Sequence, residues 1–100
     1  MVDINITGVH MHVSDKVKAY VQEKLGDLDR YHQGLSKMHV TIHHAEKHGF
    51  KVDLDMHLPH GKDIVAHDRE ETLHAAIDIV ADKAAAQLRK AHARETEHRR

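Results

Sequence analysis

The sequence predicts an α+β fold, a four-stranded mixed sheet with two helices packed on one face, in the order β-α-β-β-β-α. Three observations predict it. Four short segments alternate apolar and polar residues with a period of two, and two longer segments carry apolar residues at helical spacing. Polar, glycine or proline turns separate them. Each strand then has one apolar face and each helix one apolar stripe, and a sheet covered on one side buries them all.

Val2, Ile4 and Ile6 alternate with Asp3, Asn5 and Thr7 up to Gly8, which reads as a half-buried first strand. Ser14 is a good helix N-cap, with Asp15 in the turn that follows. Val17, Tyr20, Val21, Leu25, Leu28 and Tyr31 then space a helix from Asp15 to about His32, ended by Gln33-Gly34. Met38, Val40 and Ile42 mark a second strand, Glu46 to Gly49 a turn, and Val52, Leu54, Met56 and Leu58 a third strand. Pro59-His60-Gly61 is a tight turn before a short fourth strand from Ile64 to His67. Asp68, with Glu71 three residues later, has the pattern of a capping box. It opens a long helix carrying Leu73, Ala76, Ile77, Val80, Ala84 and Leu88 on one face.

The helical crossover makes strands one and two parallel, and the hairpins make the other pairs antiparallel. Residues 1–92 are expected to form one domain and residues 93–100 a frayed basic C-terminal tail. The second sheet face, with Asp3, Asn5, His39, Thr41, His43, Asp53, Asp55 and His57, meets water. That polar face makes a monomer the expected free state.

With 100 residues, 40% of them apolar, the chain can bury one modest core. Two Tyr, one Phe and no Trp leave that core to aliphatic side chains. Cysteine is absent, which rules out disulfides and thiolate metal sites and fits a reducing compartment. The N-terminus lacks the basic start and apolar run of a signal peptide, and no apolar stretch approaches the ~20 residues of a membrane helix. A cytoplasmic location without membrane contact follows as the expectation. Fifteen Lys and Arg against 16 Asp and Glu give a formal charge of −1, with 13 His uncounted. Charge is segregated, however. From Lys83 to Arg100 six Lys and Arg face only Glu95 and Glu97, so that end is basic with every His neutral.

Three constellations could carry chemistry. Lys83, Lys90 and Arg94 fall within about 40° on the second helix, a positive ridge over three turns suited to a run of phosphates. Cations also favour helix C-termini through the macrodipole, which competes as an explanation. Lys24 lies within the apolar face of the first helix, so its ammonium must snorkel toward the groove between the helices. A partner such as Asp78 or Asp82 would account for it equally. Finally, His39, His43, His57 and His60 have spacings that could share a metal with Asp53 or Asp55. No HExxH or Cys/His framework accompanies them, so they predict adventitious binding of Zn, Ni or Co and no dedicated metal or cofactor. The five glycines are isolated, leaving no phosphate loop, and no second layer forms a substrate cleft, which disfavours an enzyme.

Ile4 to Gly8 (INITG) and His12 to Leu25 (HVSDKVKAYVQEKL) resemble the bacterial ribosome hibernation-promoting factors. Ala75 to Asp78 (AAID), Asp82-Lys83 and Gln87 to Lys90 (QLRK) resemble that family's second-helix signature. Gly49-Phe50 and Pro59 to Lys62 are similar to turns of its ribosome-associated inhibitor branch. The likeness covers about residues 2–92 and resembles the short form. It implies the same β-α-β-β-β-α fold and a ribosome-binding domain of stationary-phase or stressed cells. It further implies binding to the 16S rRNA of the small subunit, in the channel for messenger and transfer RNA. Translation would then be inhibited and the idle ribosome stabilised, with dimerisation involving ribosome modulation factor. By the resemblance Lys18, Lys24, Lys83 and Lys90 face RNA, and charge and position add Arg30, Arg89 and Arg94. Asp27 and Ala86 stand where relatives often carry a cation. A histidine-rich metal-binding protein and a general double-stranded RNA module are the alternative readings.

Overall fold

The computed structural model describes residues 2–59 and 62–97. Its order is β1 (Asp3–Val9), α1 (Asp15–Leu25), a 3-10 turn (Leu28–Arg30), β2 (Lys37–Ala45), β3 (Gly49–His57), β4 (Asp63–Glu70) and α2 (Leu73–Glu97). The strands form one sheet in the order β1-β2-β3-β4. β1 and β2 are parallel, and the other two pairs are antiparallel. The mixed α+β fold expected from the sequence is therefore present.

Register turns the sequence alternation into a core. Ile6, Val40, Leu54 and Ala66 align across all four strands, as do Ile4, Met38, Met56 and Ile64 one pleat away. On these rows the β2 and β3 side chains are wholly buried. Val21 and Leu25 of α1 pack onto them together with Ala76, Ile77, Val80, Ala84 and Leu88 of α2. Intervening residues such as Asn5, His39, Asp55 and Val65 share the opposite face, and Val65 is its one large exposed apolar side chain among the described residues.

Several boundaries differ from the sequence expectation. α1 stops at Leu25, because Gly26 closes it through an N–H bond to the Gln22 carbonyl and Asp27 leaves helical geometry. Leu28 is then buried by the 3-10 turn, and Tyr31 packs against the core beyond it. β4 is longer than expected and extends to Glu70. Asp68 pairs with Val52 inside that strand and is no N-cap. Thr72 caps α2 instead, its Oγ1 accepting from the Ala75 N–H at 3.2 Å. The polar alternation of β4 and the capping-box spacing overlap at Asp68, and strand pairing prevails. α2 continues to Glu97, so residues 93–97 are helical where a frayed tail was expected. His98, Arg99 and Arg100 lie outside the described residues, as do His60 and Gly61.

Candidate nucleic-acid interface

α2 runs 25 residues, about 37 Å, with α1 along one flank and β4 along the other. The basic residues expected at a site divide between these flanks.

On the α1 flank a groove of about 350 Å³ is lined by Lys24, Asp27, Leu28, Arg30, Tyr31, Asp78, Ala81, Asp82 and Ala85. Lys24 emerges here as its position on the apolar face requires, with Nζ 3.7 Å from Asp78 Oδ1 and above the Tyr20 ring. Both readings of Lys24, the groove and the Asp78 partner, hold together. Tyr20 donates to the same Asp78 oxygen at 2.5 Å, and this bond foremost, then desolvation, pushes its phenol up to about 12. Arg30 is 3.6 Å from Asp27 and donates to the Tyr31 hydroxyl at 2.8 Å. Arg30 and Arg89 both lie over the Tyr31 ring, at 4.8 and 5.2 Å from its centre. Three carboxylates against two lining cations make this groove a poor host for phosphate.

The β4 flank is different. Lys83 is turned against the sheet edge, donating to the His67 carbonyl at 3.0 Å and to Asp68 Oδ1 at 3.2 Å. One helical turn on, Gln87 donates to the Val65 carbonyl at 3.1 Å. Together they satisfy acceptors along the outer edge of β4 that would otherwise invite another strand. The neighbouring Asp68 carboxylate holds the Glu70 carboxyl above its usual range. Lys83 thus has an edge-covering role that helical spacing alone could not reveal.

Beyond Gln87 a groove of about 650 Å³ opens, with Leu58, Ile64 and Ala91 as its apolar lining and Lys62, Lys90 and Arg94 as its cations. Its two acids are engaged elsewhere by histidines. Glu95 bonds His32 Nε2 at 2.5 Å, and Asp63 bonds His57 Nδ1 at 3.0 Å. His32 is the one buried polar side chain among the described residues, and its Nδ1 accepts from the Gly34 N–H at 3.0 Å. Lys62, Lys90 and Arg94 make no ion pair with any described residue, and Lys62 and Lys90 are exposed at the groove mouth. Lys62 is an addition to the expected set; its signal was the turn beginning at Pro59, whose return next to α2 only the β3–β4 register reveals. Lys18 is exposed on α1, on neither groove.

Comparison with known proteins now bears on this arrangement. Residues 4–96 match the family model described as sigma 54 modulation protein / S30EA ribosomal protein. The chain belongs to this family. A ribosome hibernation promoting factor from Azotobacter vinelandii is 34% identical over 85 residues, covering 85% of this chain and 78% of that protein. The N-terminal domain of Thermus thermophilus Protein Y superposes with a TM-score of 0.80 at 28% identity, covering 90% of this chain and 98% of the other. A ribosomal subunit interface protein from Coxiella burnetii gives 0.78 at 26% identity, covering 91% and 98%. The family resemblance read from the INITG and QLRK segments is thereby established, and with it the fold.

Of the four histidines considered for a metal, the structure does not bring His39, His43 and His57 to one point. His39 lies 3.2 Å from Thr7 Oγ1 and His43 3.0 Å from Asp53 Oδ2, while His57 joins Asp63. His60 is outside the described residues.

Proposed function

We propose that this member of the hibernation-factor family binds the ribosome through the β4 flank of α2, with Lys62, Lys90 and Arg94 on the phosphates of small-subunit 16S rRNA. The observation that carries the reading is the groove whose cations make no ion pair among the described residues while both of its acids are held by histidines. Phosphates displaced onto such cations release condensed counterions, a favourable and salt-sensitive step. Leu58, Ile64 and Ala91 offer a base or ribose an apolar surface between those cations. Recognition is then of backbone and shape, with little reading of base edges.

The relatives' names point to ribosome hibernation and a subunit interface, and the finer setting rests on the sequence resemblance. The protein would lie in the channel of the small subunit that messenger and transfer RNA use, inhibiting translation by occupancy and preserving idle ribosomes in stationary phase or stress. It would act in the cytoplasm as a single monomeric domain and without catalysis, with ribosome modulation factor as a partner where ribosomes pair. No helix among the described residues is long and apolar enough to cross a membrane. Lys18, Lys24, Arg30 and Arg89 remain secondary contacts, since three of them already engage Asp78, Asp27 or Tyr31.

Co-sedimentation with purified small subunits tests the reading. Lys90→Glu combined with Arg94→Glu should weaken binding at least tenfold at low ionic strength while leaving the circular dichroism spectrum intact. Equal retention of the double variant and the parent would refute this interface. Zinc-dependent, ribosome-independent behaviour would favour a metal-binding protein instead, and equal affinity for any RNA duplex a general double-stranded RNA module.

A further inference from the structure

We infer that the β3–β4 hairpin holds one divalent transition-metal ion of the zinc type between Asp55, His57 and Asp63. Asp55 and His57 are two residues apart in β3, so their side chains share the polar face of the sheet. Asp63 is the residue of β4 directly across from His57. One ligand atom from each of the three lies within 4.8 Å of the other two. His57 Nδ1 and Asp63 Oδ1 are already 3.0 Å apart. Adjacent ligands on one ion at bond lengths of about 2.0–2.2 Å are separated by about the same distance, so little movement would seat them.

A second observation bears on this cluster. Two carboxylate oxygens are buried without a hydrogen-bond partner among the described residues: Asp68 Oδ2, whose carboxylate is already paired with Lys83, and Asp55 Oδ1 in this cluster. An unsatisfied buried carboxylate oxygen is a costly arrangement, and a cation removes that cost. One imidazole with two carboxylates is a mixed nitrogen and oxygen set, which suits zinc or cobalt better than the all-oxygen preference of calcium or magnesium. Two carboxylates also balance the charge of a divalent ion. Around the cluster, His39 lies across from Asp55 on β2 but is bonded to Thr7, and Lys37 lies across from His57, exposed and without an ion pair among the described residues. Neither competes for the three ligand atoms. Water would complete the coordination on the solvent side.

The ion would join residues of two neighbouring strands next to the segment that connects them. Because it binds only the paired strands, it stabilises the folded chain by mass action. Its presence does not depend on ribosome binding, and its test uses no ribosome.

The test is a titration of the full chain with Zn²⁺ and with Co²⁺ against a competing chromophoric chelator, with the melting temperature followed in parallel. One equivalent should bind, the melting temperature should rise with free metal, and Co²⁺ should develop a visible ligand-field spectrum. Asp55→Asn and His57→Gln should each lower affinity at least tenfold and abolish the thermal shift, whereas His39→Gln and His43→Gln should change neither. The proposal is wrong if the Asp55 and His57 variants bind like the parent, if the His39 or His43 variant loses the ion instead, or if the parent binds no ion at micromolar levels. Should a variant fail to fold, paramagnetic broadening by Co²⁺ in the unaltered chain decides. Broadening centred on residues 55, 57 and 63 supports the site, and broadening spread over the surface histidines refutes it.

Discussion

The Tyr20 hydroxyl donates a hydrogen bond to Asp78 across the helix pair, and that bond ties part of the fold's stability to the protonated phenol. A phenol raised from 10.0 to about 12 in the folded chain stabilises it fully below pH 10. The contribution is then lost as pH climbs through about 12. Tyr20→Phe should therefore cost about 1 kcal/mol at neutral pH, and its stability deficit should shrink between pH 10 and 12 in denaturant titrations; a constant deficit would contradict the assigned bond. Gly49 is a second controlling residue. Its φ is +69°, and an added Cβ would sit 2.3 Å from the Glu70 carbonyl oxygen. Gly49→Ala should destabilise by more than about 1 kcal/mol in urea unfolding, since both the left-handed backbone and the contact oppose a side chain. Lys24 was legible from sequence because an ammonium within an apolar stripe has one way out. Lys83 was not, because helical spacing gives the side of a helix a residue occupies but not the strand edge that side meets.

Among the elements, α2 joins the parts of the structure. Its apolar face covers the sheet, Lys83 and Gln87 cover the edge of β4, and Glu95 holds His32 near its end. His32→Ala should cost about 2–3 kcal/mol, because it leaves the Gly34 N–H and Glu95 without partners around a buried site. Amide exchange in the last turns of α2 should quicken in the same variant, and unchanged exchange there would show that His32 does not anchor the helix. Strand identity and register were readable from alternation, since one face of each strand is buried and a slip by one residue would expose it. Element ends were less readable. Tyr31 keeps helical phase with Leu28 although α1 has already ended at Leu25, so an apolar period alone overstates the length. Asp68 satisfies a capping pattern while belonging to β4, and only the pairing partner, Val52, distinguishes the two.

For the whole molecule, a formal charge of −1 conceals two unlike flanks of one helix. Toward α1 the cations are answered by Asp27 and Asp78, with Asp82 also lining the groove, and toward β4 the acids are answered by His32 and His57. The composition could show the excess of acids but not which of them were already occupied, which is a property of packing. The binding surface is accordingly narrower than the set of basic residues the sequence offered. The measurement that bears most directly on this is the salt dependence of small-subunit binding, read as the slope of log K against log salt. Replacing Lys90 and Arg94 by alanine should lower affinity and flatten that slope by about two, roughly one unit for each phosphate contact removed. A double variant that keeps both the affinity and the slope of the parent would contradict the account.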